Sequence, residues 1–162
     1  MPKLHLILFI FLCGLLNLSA QDTFFRTVSV EDGLSNNYVR KIYRDSRGFI
    51  WIGTLNGLDR FDGVFFKSYI TVREQKGTVH DLLETSTDGL WVATDQGLWF
   101  LNYDDEQFYP VELGANYRIQ YLTKSEDGLL LAGTNQGLFF VSDNKVISHL
   151  LMNETLQSAE IT

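Results

Sequence analysis

The chain has 162 residues, 45% of them hydrophobic and 14% aromatic, which is enough apolar material for one packed domain and too much for a disordered chain. Acidic residues outnumber basic ones 20 to 13, for a net charge of -7, with the two signs interspersed along the chain. That balance excludes nucleic acid as a partner, because phosphate neutralisation needs a basic face, and it leaves most of the charge as solvated surface.

Residues 1–20 read as an export signal. Lys3 supplies the positive start, Leu4 to Leu18 is an apolar run, and Ser19 and Ala20 are the small residues before a cleavage point. An uncleaved membrane anchor is the alternative, although fifteen apolar residues are short for a span. Removal of the signal takes away Lys3 and no acid, leaving 12 basic against 20 acidic residues and a net charge of -8. Cys13, the one cysteine, lies inside this leader, with Phe11 and Leu12 before it rather than the small residues lipidation needs, so the mature chain has no disulfide or thiol chemistry.

The remainder, residues 21–162, is a repeat. Thr54, Thr94 and Thr134 stand 40 residues apart, as do Gly57, Gly97 and Gly137, each pair inside a similar phrase of short apolar runs punctuated by Gly and Asp. A period near 40 of this kind predicts the four-stranded antiparallel blades of a β-propeller, all-β in class. The expected blades run over about 38–70, 78–112 and 118–150, with a further blade beginning at 151–162. Residues 24–30, the counterpart of the outer run 64–70, predict an orphan outer strand ahead of the first blade.

Within a blade, Tyr38 to Arg44 alternates apolar and charged, as a strand with one wetter face does. Asp45, Thr85 and Ser125 open a turn in which each side chain can accept a backbone hydrogen bond. The apolar run Phe49 to Ile52 predicts a strand buried on both faces, carrying Trp51 where the next unit has Trp91 and the third has Leu131. Gly53, Ala93 and Gly133 keep this packing close. Asn or Asp ahead of Gly57, Gly97 and Gly137 predicts a tight hairpin, and outer strands follow at 64–70, 107–111 and 145–150. Gly89 stands one residue nearer its threonine than Gly48 and Gly128 do to theirs, so the second unit's turn must differ.

Three blades and an orphan strand fall short of the roughly 4 to 8 blades of a closed ring. The expectation is therefore an incomplete, unclosed propeller, either the N-terminal piece of a longer sensor or a truncated gene product. It would expose an apolar blade face at each end and self-associate.

The phrases Asp32-Gly-Leu-Ser-Asn-Asn-Tyr-Val39, Ile42-Tyr-Arg-Asp-Ser-Arg-Gly-Phe-Ile-Trp-Ile-Gly-Thr54 and Asn56-Gly-Leu-Asp-Arg-Phe-Asp-Gly63 resemble the start of the periplasmic propeller region of hybrid two-component sensor histidine kinases. The resemblance covers roughly residues 22–150, closely in the first unit and more weakly afterwards. It implies a non-catalytic, exported sensory segment in the periplasm, in a signalling system that commonly detects oligosaccharides. Any kinase core, receiver or DNA-binding module, and the inner-membrane span, would lie beyond Thr162. The remaining blades of the same sensor, or another copy, are the implied protein partners.

Two other classes compete: a secreted propeller lyase or glycosidase, which needs paired carboxylates across a cleft, and an interaction scaffold. The acids here cluster at turns instead. His80-Asp-Leu-Leu-Glu84 superficially resembles a phosphoacceptor box but falls on a strand of the repeat, and His149 has no ligand partner at metal spacing. Asp104, Asp105 and Glu106 read as a solvated turn rather than a calcium loop. No catalytic residue, metal or cofactor is expected. Sugars stack on aromatic faces, and the candidates for ligand contact are Tyr38, Trp99, Tyr103, Tyr117 and Tyr121.

Overall fold

The structure is a computed structural model that describes residues 25–69, 77–114, 117–142 and 145–151. The expected leader, Phe24 of the orphan strand and residues 152–162 of the further blade lie outside the described residues.

Twelve described strands form three separate four-stranded antiparallel sheets. The first contains β1 (Val39–Arg44), β2 (Ile50–Thr54), β3 (Gly57–Phe61) and β4 (Phe66–Tyr69). The second contains β5 (Val79–Leu83), β6 (Gly89–Thr94), β7 (Gly97–Asn102) and β8 (Phe108–Pro110). The third contains β9 (Ile119–Lys124), β10 (Leu130–Thr134), β11 (Gly137–Ser142) and β12 (Lys145–Leu151). In each, the strands pair in chain order. The first strands β1, β5 and β9 lie against one another in succession, so the sheets stack as neighbouring blades, and the stack does not close into a ring.

The threonine of each repeat builds the hairpin that follows it. Thr54, Thr94 and Thr134 each donate their hydroxyl to the carbonyl of the glycine three residues on, at 2.9–3.1 Å, and accept the amide of the residue before that glycine. The glycines take φ of +141°, +128° and +154° at Gly57, Gly97 and Gly137, a region that penalises any side chain. Three identical local bond patterns therefore explain the 40-residue spacing.

Packing between blades follows the same period. Trp51, Leu58 and Tyr69 of the first sheet meet Leu82, Leu90, Val92, Trp99 and Leu101 of the second. Forty residues on, Trp91, Ala93, Leu98 and Phe100 of the second sheet meet Leu122, Leu130, Ala132, Phe139 and Val141 of the third. Every residue of β6 is buried, whereas none of β1 is, because among the described residues only the middle sheet has neighbouring sheets on both faces. Gly53 is needed for this approach, since a Cβ there would stand 2.6 Å from Val79 Cγ1. Gly89 lies in β6 with no room for a Cβ against Leu101 and Phe100, unlike Gly48 and Gly128 at φ +93° and +88° in their turns. The one-residue offset noticed in the sequence is thus a change from turn glycine to strand glycine.

Two sequence expectations need correction. Residues 25–29 carry no regular structure, and Val30–Asp32 is a single 3-10 turn rather than the end of an outer strand. The turn wins because Ser29 and Asp32 cap each other's amides and Asn37 accepts the Val30 amide, local bonds that satisfy backbone groups a lone strand would leave unpaired. The strand expected from Val64 begins at Phe66, because Asp62 accepts the amides of Val64 and Phe65 and holds both in the turn.

Candidate ligand-binding rim

Each first strand carries a register irregularity at the same repeat position, between Val39 and Lys41, between Val79 and Asp81, and at the Ile119–Tyr121 step opposite Thr134 and Gly133. The residues at the bulge are Arg40, His80 and Gln120. A bulge re-aims one side chain out of the pleat, and here it aligns polar groups along one end of the stack, beside the β2–β3 type hairpins. The first strands and hairpins are tied at that end by Leu55 N to Tyr38 O, Asp95 N to Thr78 O and Asn135 N to Arg118 O, at 3.2–3.3 Å.

A chain of side-chain contacts crosses all three blades there. Arg40 Nη2 lies 3.3 Å from His80 Nδ1, His80 Nε2 lies 2.6 Å from Asp95 Oδ1, and Arg118 Nε lies 3.0 Å from the same Asp95 oxygen. His80 thus bridges Arg40 of the first blade and Asp95 of the second. Burial pushes the Asp95 carboxyl upward, but the hydrogen bonds from His80 and Thr78 and the charges of His80 and Arg118 outweigh it and hold it below the usual carboxylate range. The rim thereby presents guanidinium groups from exposed Arg40 and Arg118, and exposed Tyr38 lies at the same end of the first sheet. Guanidinium donors and an exposed aromatic ring at one end of the stack suit a polar ligand that stacks and accepts hydrogen bonds.

The five aromatic candidates separate. Tyr38 is 61% exposed at this rim and Tyr121 is 72% exposed on β9. Tyr117 is half-buried against Phe139, with ring centroids 4.9 Å apart. Trp99 and Tyr103 are corrected to core residues: both lie in the cluster between the first and second sheets, where no dissolved sugar can reach them. Tyr103 stacks on Trp51 with 9° between planes, under the Arg47 guanidinium at 3.5 Å. Burial, then the charges of Glu84 and Asp45, push its phenol far above the usual range. The sequence showed aromatic identity but not facing, and it gave no weight to Arg40, His80, Asp95 and Arg118. Their signal was the repeat itself, since Arg40 and His80 share one position, and Thr78 and Arg118 another.

Four acids elsewhere are committed to structure. Asp59, with no exposure, accepts the Ser35 amide at 2.9 Å and the hydroxyls of Ser35 and Ser68. Asp81 binds Lys41 and accepts the Leu122 amide at 2.8 Å. Glu106 binds Arg60, Lys67 and the Tyr69 hydroxyl, while Asp105 accepts from Gln107 N and Tyr109. Among the described residues no group of three or more His, Cys, Asp or Glu is placed to hold a metal ion, and no helix is long and apolar enough to cross a membrane.

Residues 33–56 match the family described as two component regulator propeller. Histidine kinase P4 of Formosa agariphila is 41% identical over 63 residues, which are 39% of this chain and 5% of that protein. Among solved structures, the extracellular domain of the hybrid two component system BT4673 of B. thetaiotaomicron superposes with a TM-score of 0.68 at 28% identity, over 80% of this chain and 18% of that one. The extracellular domain of BT3049 from the same organism gives 0.65 at 26% identity, over 73% and 19%. The chain spans less than a fifth of these relatives.

Proposed function

We propose that this chain, whose residues 33–56 are a two component regulator propeller repeat, is a non-catalytic, periplasmic sensory segment of a hybrid two-component system and that its ligand is an oligosaccharide. The observation that carries the reading is the likeness, at 26–28% identity and TM-scores of 0.65–0.68, to extracellular domains of hybrid two component systems. The commitment of Asp59, Asp81 and Glu106 to amides, hydroxyls and cations supports a sensor over a glycosidase, which keeps two carboxyls facing one cleft. For the ligand class, the support is chemical: the end of the stack that carries the guanidinium donors of Arg40 and Arg118 also carries the exposed ring of Tyr38, a stacking face.

The test is calorimetric titration of the purified chain with a panel of neutral and acidic oligosaccharides. Binding to at least one, weakened about tenfold or more by Tyr38→Ala, is the expected result. Absence of heat across the panel would remove the oligosaccharide reading.

A further inference from the structure

The repeat keeps its hairpin threonine and glycine in every blade, because each hairpin needs the same bonds. The rim positions follow no such rule, with Arg40, His80 and Gln120 at one and Leu55, Asp95 and Asn135 at another. Charge at the rim is therefore set locally. Among the described residues Asp95 is the one acid that touches either rim arginine, and it is already shared. Arg118 Nε stands 3.0 Å and His80 Nε2 2.6 Å from the same oxygen, and the Thr78 hydroxyl bonds the carboxylate as well. Arg40 meets no carboxylate, its neighbour being the His80 ring at 3.3 Å. Two guanidiniums thus face one carboxylate, a local excess of positive charge on a chain whose net charge is -7. These contacts lie within the middle blade or across its two junctions, rather than on the outer faces of the first and third sheets.

We infer that the rim selects an acidic oligosaccharide, whose carboxylate or sulfate group is held by the guanidiniums of Arg40 and Arg118. The inference rests on the oligosaccharide reading above and names the ligand's charge. Arg40 uses only Nη2 and Arg118 only Nε in the contacts described, so the remaining N–H donors of each planar fork have no partner among the described residues. Such a fork matches the paired oxygens of a carboxylate or sulfate, and a charge-assisted pair is stronger than a hydrogen bond to a neutral hydroxyl. An anion reaches both groups without displacing anything, since Arg40 is exposed and the Arg118 side chain is 56% exposed. The acidic surplus elsewhere does not cancel the attraction, because exposed charges beyond a Debye length, about 8 Å at physiological salt, are largely screened.

Calorimetric titration of the purified chain with matched pairs tests this: galacturonate oligomers against their methyl esters, and sulfated galactan oligosaccharides against the same chains after desulfation. An acidic member is expected to bind about tenfold or more tighter than its neutral counterpart, the scale of one charge-assisted pair. The advantage should shrink as salt is raised, and the pair that responds tells carboxylate from sulfate. Arg40→Gln leaves no carboxylate unpaired and alters an exposed side chain, so folding is spared, which circular dichroism checks. It should cut the acidic advantage severalfold with neutral binding unchanged, and Arg40→Lys should restore part of it. Neutral oligosaccharides that bind as tightly as acidic ones, or an acidic preference undiminished by Arg40→Gln, overturn the inference and leave the oligosaccharide reading standing. Absence of heat from both classes overturns the two together.

Discussion

Trp51 donates its indole N–H to Asp45 at 2.9 Å, a bond between the turn that opens the second strand of the first blade and the side chain that strand buries. The same carboxylate accepts the amides of Arg47 and Phe49, so one buried residue shapes the turn and satisfies the core. In the second blade Thr85 accepts the indole N–H of Trp91, also at 2.9 Å. In the third, Leu131 has no N–H, and Ser125 accepts only the Leu129 amide. Acceptor and indole thus go together across the repeats.

Replacing Asp45 by Ala strands a buried indole N–H and two turn amides. The expected cost is about 3 kcal/mol, at the upper end for buried donors left unpaired. Thr85→Val, which strands one donor, should cost about 1 kcal/mol. Urea unfolding midpoints of the two variants would rank them, and a smaller effect for Asp45→Ala than for Thr85→Val would contradict this assignment.

Gly53→Ala sets a methyl 2.6 Å from Val79 Cγ1 at the first inter-blade interface. Overpacking of this kind costs about 1–3 kcal/mol. Trimming the opposing side chain with Val79→Ala should recover part of that loss, so the double mutant is expected to be more stable than the sum of the single effects allows. Strict additivity in thermal or chemical unfolding would mean that the two positions do not press on each other.

Thr94→Val keeps shape but removes a fully buried hydroxyl that donates to Gly97 O and accepts from Gln96 N. A loss of about 1–2 kcal/mol is expected. The same change at half-buried Thr134 should cost less, because water can replace the lost partner. Equal losses at the two sites would show that burial is not what sets the value of this bond.

Glu106 reaches from the second blade to Lys67, Arg60 and the Tyr69 hydroxyl of the first. The Lys67 hydrogen bond, opposed by burial and aided by Tyr69 and Arg60, holds its carboxyl below the usual range. A depressed carboxylate contributes stability that is present above its unfolded pKa, near 4.5, and is lost as pH falls through its lower folded pKa. Glu106→Gln should therefore lower stability at neutral pH and flatten the acid limb of the stability profile. Parallel profiles for variant and parent below pH 5 would exclude the linkage.

The repeat period, the three hairpins and the identity of the buried second strand were legible because each rests on contacts within a few residues. Thr54 needs only Asn56 and Gly57 to define its turn, and the apolar second strand is buried throughout in the middle sheet, whereas in the first sheet Ile50 and Ile52 stay half-buried on the face that no described sheet covers. The orphan strand was misread for the converse reason: residues 24–30 have strand-like composition, but a strand exists only with a partner ladder, and the Ser29–Asp32 capping bonds form without one.

Facing is what the three-dimensional structure alone decided. Trp99 and Tyr103 are buried and Tyr38 is exposed because of bulges and of which sheet covers which face, and neither is encoded in residue type. The pairing of Arg40 with His80 joins residues 40 apart, and the sealing of Asp59 by Ser35 joins residues 24 apart. Local bonding made the blade readable from the chain, while the rim and the interfaces arise only when one blade meets the next.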